Sequence, residues 1–327
     1  MPLENLRDSI KQAANFAGGS QGANMRVAIL LLLGLSGFFE AGHAQSTPWV
    51  WSKKELKRIA SIEKSVKSEA GWFEVETKHW LIRTQVDRRF TAELAQFMDH
   101  FDQEFSDLLR GIHKGRKVKQ KPTVVIYADH ARYNREFPGG SRGYYRWSHQ
   151  GRKWSEFHLY SYIQNQEERK FSSFYHPILI HEGAHILFRT YLGQGGAPLW
   201  FDEGMATYFQ FWDLRDSPKK NLSSRYSRSI YRQDLRNAYE AGPPTLRTLF
   251  DVTTWNPDNM GPQARRNYAL AESLVDFMMS SKTGRKIFKR TFQRIPSGTA
   301  LFTEKEIAQL EPLWQEHIRT TLGLKKK

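Results

Sequence analysis

His181, Glu182 and His185 lie inside the run HPILIHEGAHILF, residues 176–188, which is otherwise almost wholly apolar. Burying three such groups costs free energy unless each finds a partner. Histidines four residues apart share one face of a helix with about 6 Å between them, so both imidazoles reach one metal ion. Glu182 stands about 60° around that helix from His185, beside the metal rather than on it. This is the arrangement of a metal-activated water with a base next to it. Two core histidines with ordinary hydrogen-bond partners are the alternative. The local signals suit a helix: Pro177 fits its first turn and Gly193 its stop. Gly183 points away from the histidines, where another element can pack closely.

A hydrolytic zinc site needs three protein ligands and an open position. The chain has no cysteine, so the third must be His, Asp or Glu. After the glycine-rich turn GQGGAP comes LWFDEGMATYFQFW, with Glu203 following His185 after 17 intervening residues. A second helix that folds back on the first brings Glu203, in its first turn, to face both histidines. Asp202 competes for the role. Glu203 is favoured because it shares a helical face with Ala206 and Gln210, and Asp202 is left to cap the helix or support the metal shell.

With PLWFDEGMATYF added, the HExxH run resembles the gluzincin metallopeptidases, in particular the peptidase MA-like group with its Trp-x-x-Glu-Gly-x-Ala pattern. Trp200, Glu203, Gly204 and Ala206 match that pattern. Weaker resemblance extends over about residues 70–320, through WFEVETKHWLIRT, TVVIYADHARYNREF and RRNYALAESLVDFM. It implies a zincin-like fold, Zn2+ on His181, His185 and Glu203, and peptide-bond hydrolysis with Glu182 as general base. It also implies a site tyrosine, here Tyr268. The chain departs from thermolysin-like relatives at Thr207, where they carry an acidic residue, so the group orienting His181 must come from elsewhere. No upstream amine-binding motif is present, which points away from action on free N-termini.

The elements that must position these residues follow from periodicity. Residues 52–69 predict a charged amphipathic helix, and WFEVETKHWLIRT a hairpin of two strands. Residues 91–112 predict a helix whose stripe is Leu94, Phe97, Met98, Phe101, Phe105, Leu108 and Leu109, with Thr91 as N-cap. PTVVIYA and SEFHLYSYI read as strands, with PGGSRGYY as a turn between them. From Phe174 the pattern is helical, apart from loops at 214–245 and 252–263. The expected class is α+β: a small mixed or antiparallel sheet packed on the metal-binding helix (45–175), then a mostly helical part (176–327), together one domain.

Of 327 residues 39% are hydrophobic, with 21 Phe, 13 Tyr and 10 Trp, and the net charge is +15. Such a composition packs a core and excludes disorder. Met25-Arg26 precede VAILLLLGLSGFF and then EAGHAQS, which reads as a signal peptide cleaved after Ala44. The apolar run is too short for a stable membrane span. Residues 1–44 carry three acids and three bases, so the mature chain stays basic. Export and charge together favour a peptide or protein substrate and an anionic cell-surface polymer as partners, and disfavour nucleic acid. The rival reading is an exported basic binding protein with a structural or vestigial zinc site, its polymer held by Lys114–Lys121 and Lys325–Lys327.

Overall fold

The computed structural model describes residues 49–112, 115, 120–138, 142–150, 153–192, 197–212, 214, 229–250, 262–295 and 301–325. The expectations placed on residues 1–44, on Gly193, on most of Lys114–Lys121 and on Lys326 and Lys327 lie outside these. The chain begins with α1 (Lys53–Ser65), shorter than the expected 52–69. Val66 is already extended, and Lys67–Glu69 form β1, paired antiparallel with β2 (Trp72–Glu76). Between them Ala70 and Gly71 both have positive φ, at 46° and 79°, the backbone of the two-residue turn that matches strand twist.

β2 and β3 (Leu81–Thr84) form the expected antiparallel hairpin. α2 (Arg88–Leu108) follows, with Leu94, Phe97, Met98, Phe101 and Phe105 fully buried. Its N-cap is Asp87 and not Thr91: the Asp87 carboxylate accepts from Phe90 N–H at 2.7 Å. Thr91 lies inside the first turn, its hydroxyl 2.6 Å from the Asp87 carbonyl and 2.7 Å from Thr84 Oγ1. It ties the helix to β3, a role that a hydroxyl can serve as well as capping.

β4 (Thr123–Tyr127), α3 (His130–Glu136), β5 (Gly143–Gln150) and β6 (Lys153–Tyr162) complete a six-stranded mixed sheet of order β1-β2-β3-β4-β6-β5. β3, β4 and β6 run parallel, and the other pairings are antiparallel. The expected turn at PGGSRGYY ends at Arg142, because Gly143 to Tyr145 already pair with β6. Alternation sorts the two faces. Val124, Ile126, Phe157 and Leu159 join the main core, while Val125, Tyr127 and Tyr162 pack with Tyr133 of α3.

The main-core face carries α2 against β2 and β3, and α4 (His176–Leu192) against β5 and β6. Gly183 sits where α2 and α4 meet: a Cβ there would lie 3.0 Å from Phe101 Cε1. α5 (Leu199–Gln210), α6 (Arg232–Glu240), α7 (Leu246–Phe250), α8 (Pro262–Ser280), α9 (Lys282–Arg294) and α10 (Glu304–Leu322) build the helical part. α6 falls in the expected 214–245 loop. Only Leu235 and Ala238 of that helix are buried, too few apolar positions to show a helical period. The protein is α+β, and one apolar core runs continuously from Trp49 through the sheet to Leu322. No described helix is long and apolar enough to cross a membrane.

Candidate metal centre

Every residue of α4 except Pro177 is buried, so its polar groups must be satisfied from inside the protein. His181 and His185 turn their Nε2 atoms to within 3.3 Å of each other. α5 folds back on α4 as expected and brings Glu203 Oε2 to 3.5 Å from His181 Nε2 and 3.6 Å from His185 Nε2. Glu203 is the fifth residue of α5, one position beyond the expected first turn, since the helix opens at Leu199. Among the described residues this is the only trio of His, Asp and Glu whose donor atoms converge this closely.

The trio passes a geometric test. Ligand atoms set tetrahedrally about 2.0–2.2 Å from a small divalent ion lie about 3.3–3.6 Å from one another, and the three separations fall in that range. The outer hydrogen bonds also fit. His185 Nδ1–H donates to Asp202 Oδ1 at 3.0 Å, and His181 Nδ1–H donates to Gln210 Oε1 at 3.1 Å. Each bond fixes the tautomer that leaves the Nε2 lone pair aimed inward. Asp202 therefore stands behind His185 and outside the trio, where Glu203 faces both Nε2 atoms. Gln210 supplies the support for His181 that Thr207 lacks, and its amide also bonds Tyr175.

The electrostatics favour a cation at this point. Burial opposes a charge on His185, yet Asp202 and Glu203 outweigh it and raise its pKa well above the ordinary value. Burial likewise opposes ionisation of Glu203, but the two imidazoles hold its carboxyl below the usual range. Asp202 is lowered against burial by His185 and Arg189.

Glu182 is fully buried beside the trio, and neither carboxylate oxygen has a hydrogen-bond partner among the described residues. Burial raises its pKa above the ordinary carboxylate value. β5 passes close above it: a Cβ on Gly143 would lie 3.0 Å from Glu182 Cγ and 2.4 Å from Ile178 Cγ1. Tyr268, on α8, is buried with its hydroxyl bonded to the Glu203 carboxylate and its ring stacked 5.6 Å from Tyr231. Burial first, then Glu203, raises its pKa well above the ordinary value.

Gly204 explains part of the second motif. A Cβ there would stand 2.8 Å from the Ala271 carbonyl oxygen, a backbone atom of α8. Only glycine lets α5 and α8 approach this closely, which sets Glu203 against Tyr268. Gly204→Ala is expected to cost about 1–3 kcal/mol, the usual price of overpacking, measured as a shifted midpoint in chemical denaturation at unchanged m-value.

Sequence reasoning missed Arg189, Tyr145 and Trp147. Arg189 was legible as a cation one turn after His185 in a helix otherwise apolar. The two aromatics are not, because their places follow from the register of β5. His158 faces away from α4, its ring stacked on Tyr160 at 5.5 Å. No protein-family model matches the chain, and no curated protein matches it either.

Proposed function

We propose that the protein is an exported zinc-dependent metallopeptidase of gluzincin type, with His181, His185 and Glu203 as ligands and Glu182 as general base. The observation that carries this reading is the buried triangle of two Nε2 atoms and one carboxylate oxygen beside an unpartnered buried carboxylate. A purely structural site has no use for Glu182, whose burial without a partner is costly. Zinc held by these three residues would supply a Lewis acid for a carbonyl and would lower the pKa of a water from about 15.7 to about 7. Glu182 removes a proton from the attacking water and delivers it to the nitrogen of the leaving amine. Its raised pKa suits both halves of that transfer.

Tyr268 stands close enough to Glu203 to turn its hydroxyl toward a developing oxyanion. Tyr268→Phe is expected to retain metal and lower kcat about 10²–10³-fold, the worth of one oxyanion donor. Steady-state kinetics with metal analysis checks it. An extended substrate has one sheet edge available on the side of α4. Among the described residues it is β5, since β6 is paired on both sides by β4 and β5. Export rests on residues 1–44, and the net charge of +15 leaves an anionic cell-surface polymer as a partner.

Metal content of the purified protein, read beside its cleavage of a broad peptide library, tests the whole reading. One zinc per chain with cleavage supports it. One zinc with no cleavage of any peptide points instead to the exported binding protein, and no bound metal overturns the peptidase and leaves only a binding protein with a vestigial site.

A further inference from the structure

Arg189 is the only arginine or lysine in α4 and lies four residues after His185. It is buried, and its Nη2 donates to Asp202 Oδ2 at 3.1 Å and to the Tyr145 hydroxyl at 3.4 Å. The guanidinium carbon sits 3.9 Å from the centroid of the Trp147 ring, a stacked cation–π geometry. Tyr145 in turn stacks on the His185 ring, centroids 4.5 Å apart and planes 14° from parallel. The two oxygens of Asp202 are thus divided: Oδ1 takes His185 Nδ1–H, and Oδ2 takes Arg189 at 3.1 Å and, more weakly, the Tyr145 O–H at 3.4 Å.

We propose that Arg189 is a positioning residue for the metal centre: it locks Asp202, and through Asp202 the orientation of His185, while Trp147 and Tyr145 hold the guanidinium from the β5 side. The inference rests on the metal-site reading above. Without Arg189 the Asp202 Oδ2 keeps only the long 3.4 Å hydrogen bond from the Tyr145 O–H, and a buried carboxylate held so weakly at one oxygen can rotate at a cost in unsatisfied bonding. Arg189 removes that freedom. Arg binds α4, α5 and β5 at once because its planar fork both donates and stacks, which lysine does not do.

A positioning role and a purely electrostatic one predict opposite signs. A buried positive charge repels a dication, so if charge alone mattered, removing it would tighten metal binding. Zinc affinity of the folded, metal-stripped chain, measured by competition with a chromophoric chelator, separates the two. Arg189→Met is expected to weaken binding about 10–100-fold, the usual effect of losing an outer-shell partner. Arg189→Gln keeps an N–H for Oδ2 without the charge and is expected to lose less.

Because Arg189 acts through Asp202, its loss in an Asp202→Asn background is expected to add less than about threefold, a failure of additivity that marks a shared path. Unchanged or tighter binding in Arg189→Met overturns the proposal, as do losses that multiply in the double variant. Circular dichroism establishes that each variant is folded. If Arg189→Met does not fold, Arg189→Gln with and without Asp202→Asn carries the same additivity criterion. A wild-type chain that binds no zinc counts against the metal site itself, and so is distinguishable from a failure at Arg189.

Discussion

Glu182→Gln is expected to keep its zinc and lose hydrolysis by at least about 10³-fold, which corresponds to about 4 kcal/mol of transition-state stabilisation. The substitution conserves shape, and it breaks no hydrogen bond because neither carboxylate oxygen makes one among the described residues. The metal donors are untouched, since Glu182 is not one of the trio. What the amide cannot do is accept and return a proton. The stability of the metal-free chain supplies a signed control. A carboxyl whose pKa is raised on folding contributes stability below its unfolded pKa and loses that contribution as pH rises through the folded one. Burial raises Glu182 in this way. Metal-free Glu182→Gln is therefore expected to melt no lower than wild type at neutral pH, and any advantage should shrink once acid protonates the wild-type carboxyl. Full activity in this variant would remove Glu182 from the mechanism, and loss of metal along with activity would make it a ligand rather than a base.

The legible part of this protein is the part that short-range spacing determines. An i, i+4 pair of histidines fixes its own geometry on a helix, and Glu203 with Gln210 follows from a single fold-back across a short turn. Both face the centre as their spacing requires. The stripe of α2 was equally plain, because Leu94, Phe97, Met98, Phe101 and Phe105 repeat at helical intervals. Placement that depends on distant pairing was not legible. β5 reads locally as turn material, with Gly143 and flanking polar residues, and becomes a strand only because β6 pairs with it. With β5 unread, Tyr145 and Trp147 had no position. α6 was missed for a different reason: a helix in which Leu235 and Ala238 are the buried residues carries almost no periodic signal.

His185→Ala is expected to abolish metal binding, from one zinc per chain to below detection in metal analysis of the purified variant. A three-ligand site that loses one imidazole keeps two donors, and a ligand contributes far more than the 10–100-fold typical of its outer-shell partner. The ring at position 185 is fully buried, so water cannot freely take its place. The change also strips the Asp202 Oδ1 acceptor of its donor and Tyr145 of one of its two stacking partners, although Arg189 still neutralises Asp202. Because the variant is destabilised by the cavity as well, melting temperature alone does not isolate the metal. Its response to chelator does. Any ligand bound only by the folded state stabilises it by RT ln(1 + [L]/Kd), about 4 kcal/mol at a thousandfold excess over Kd. Stripping metal should therefore lower the melting temperature of wild type and leave that of His185→Ala unmoved. A variant that still holds one equivalent of zinc, or still melts lower in chelator, would place the ion on donors other than the His181, His185 and Glu203 triangle.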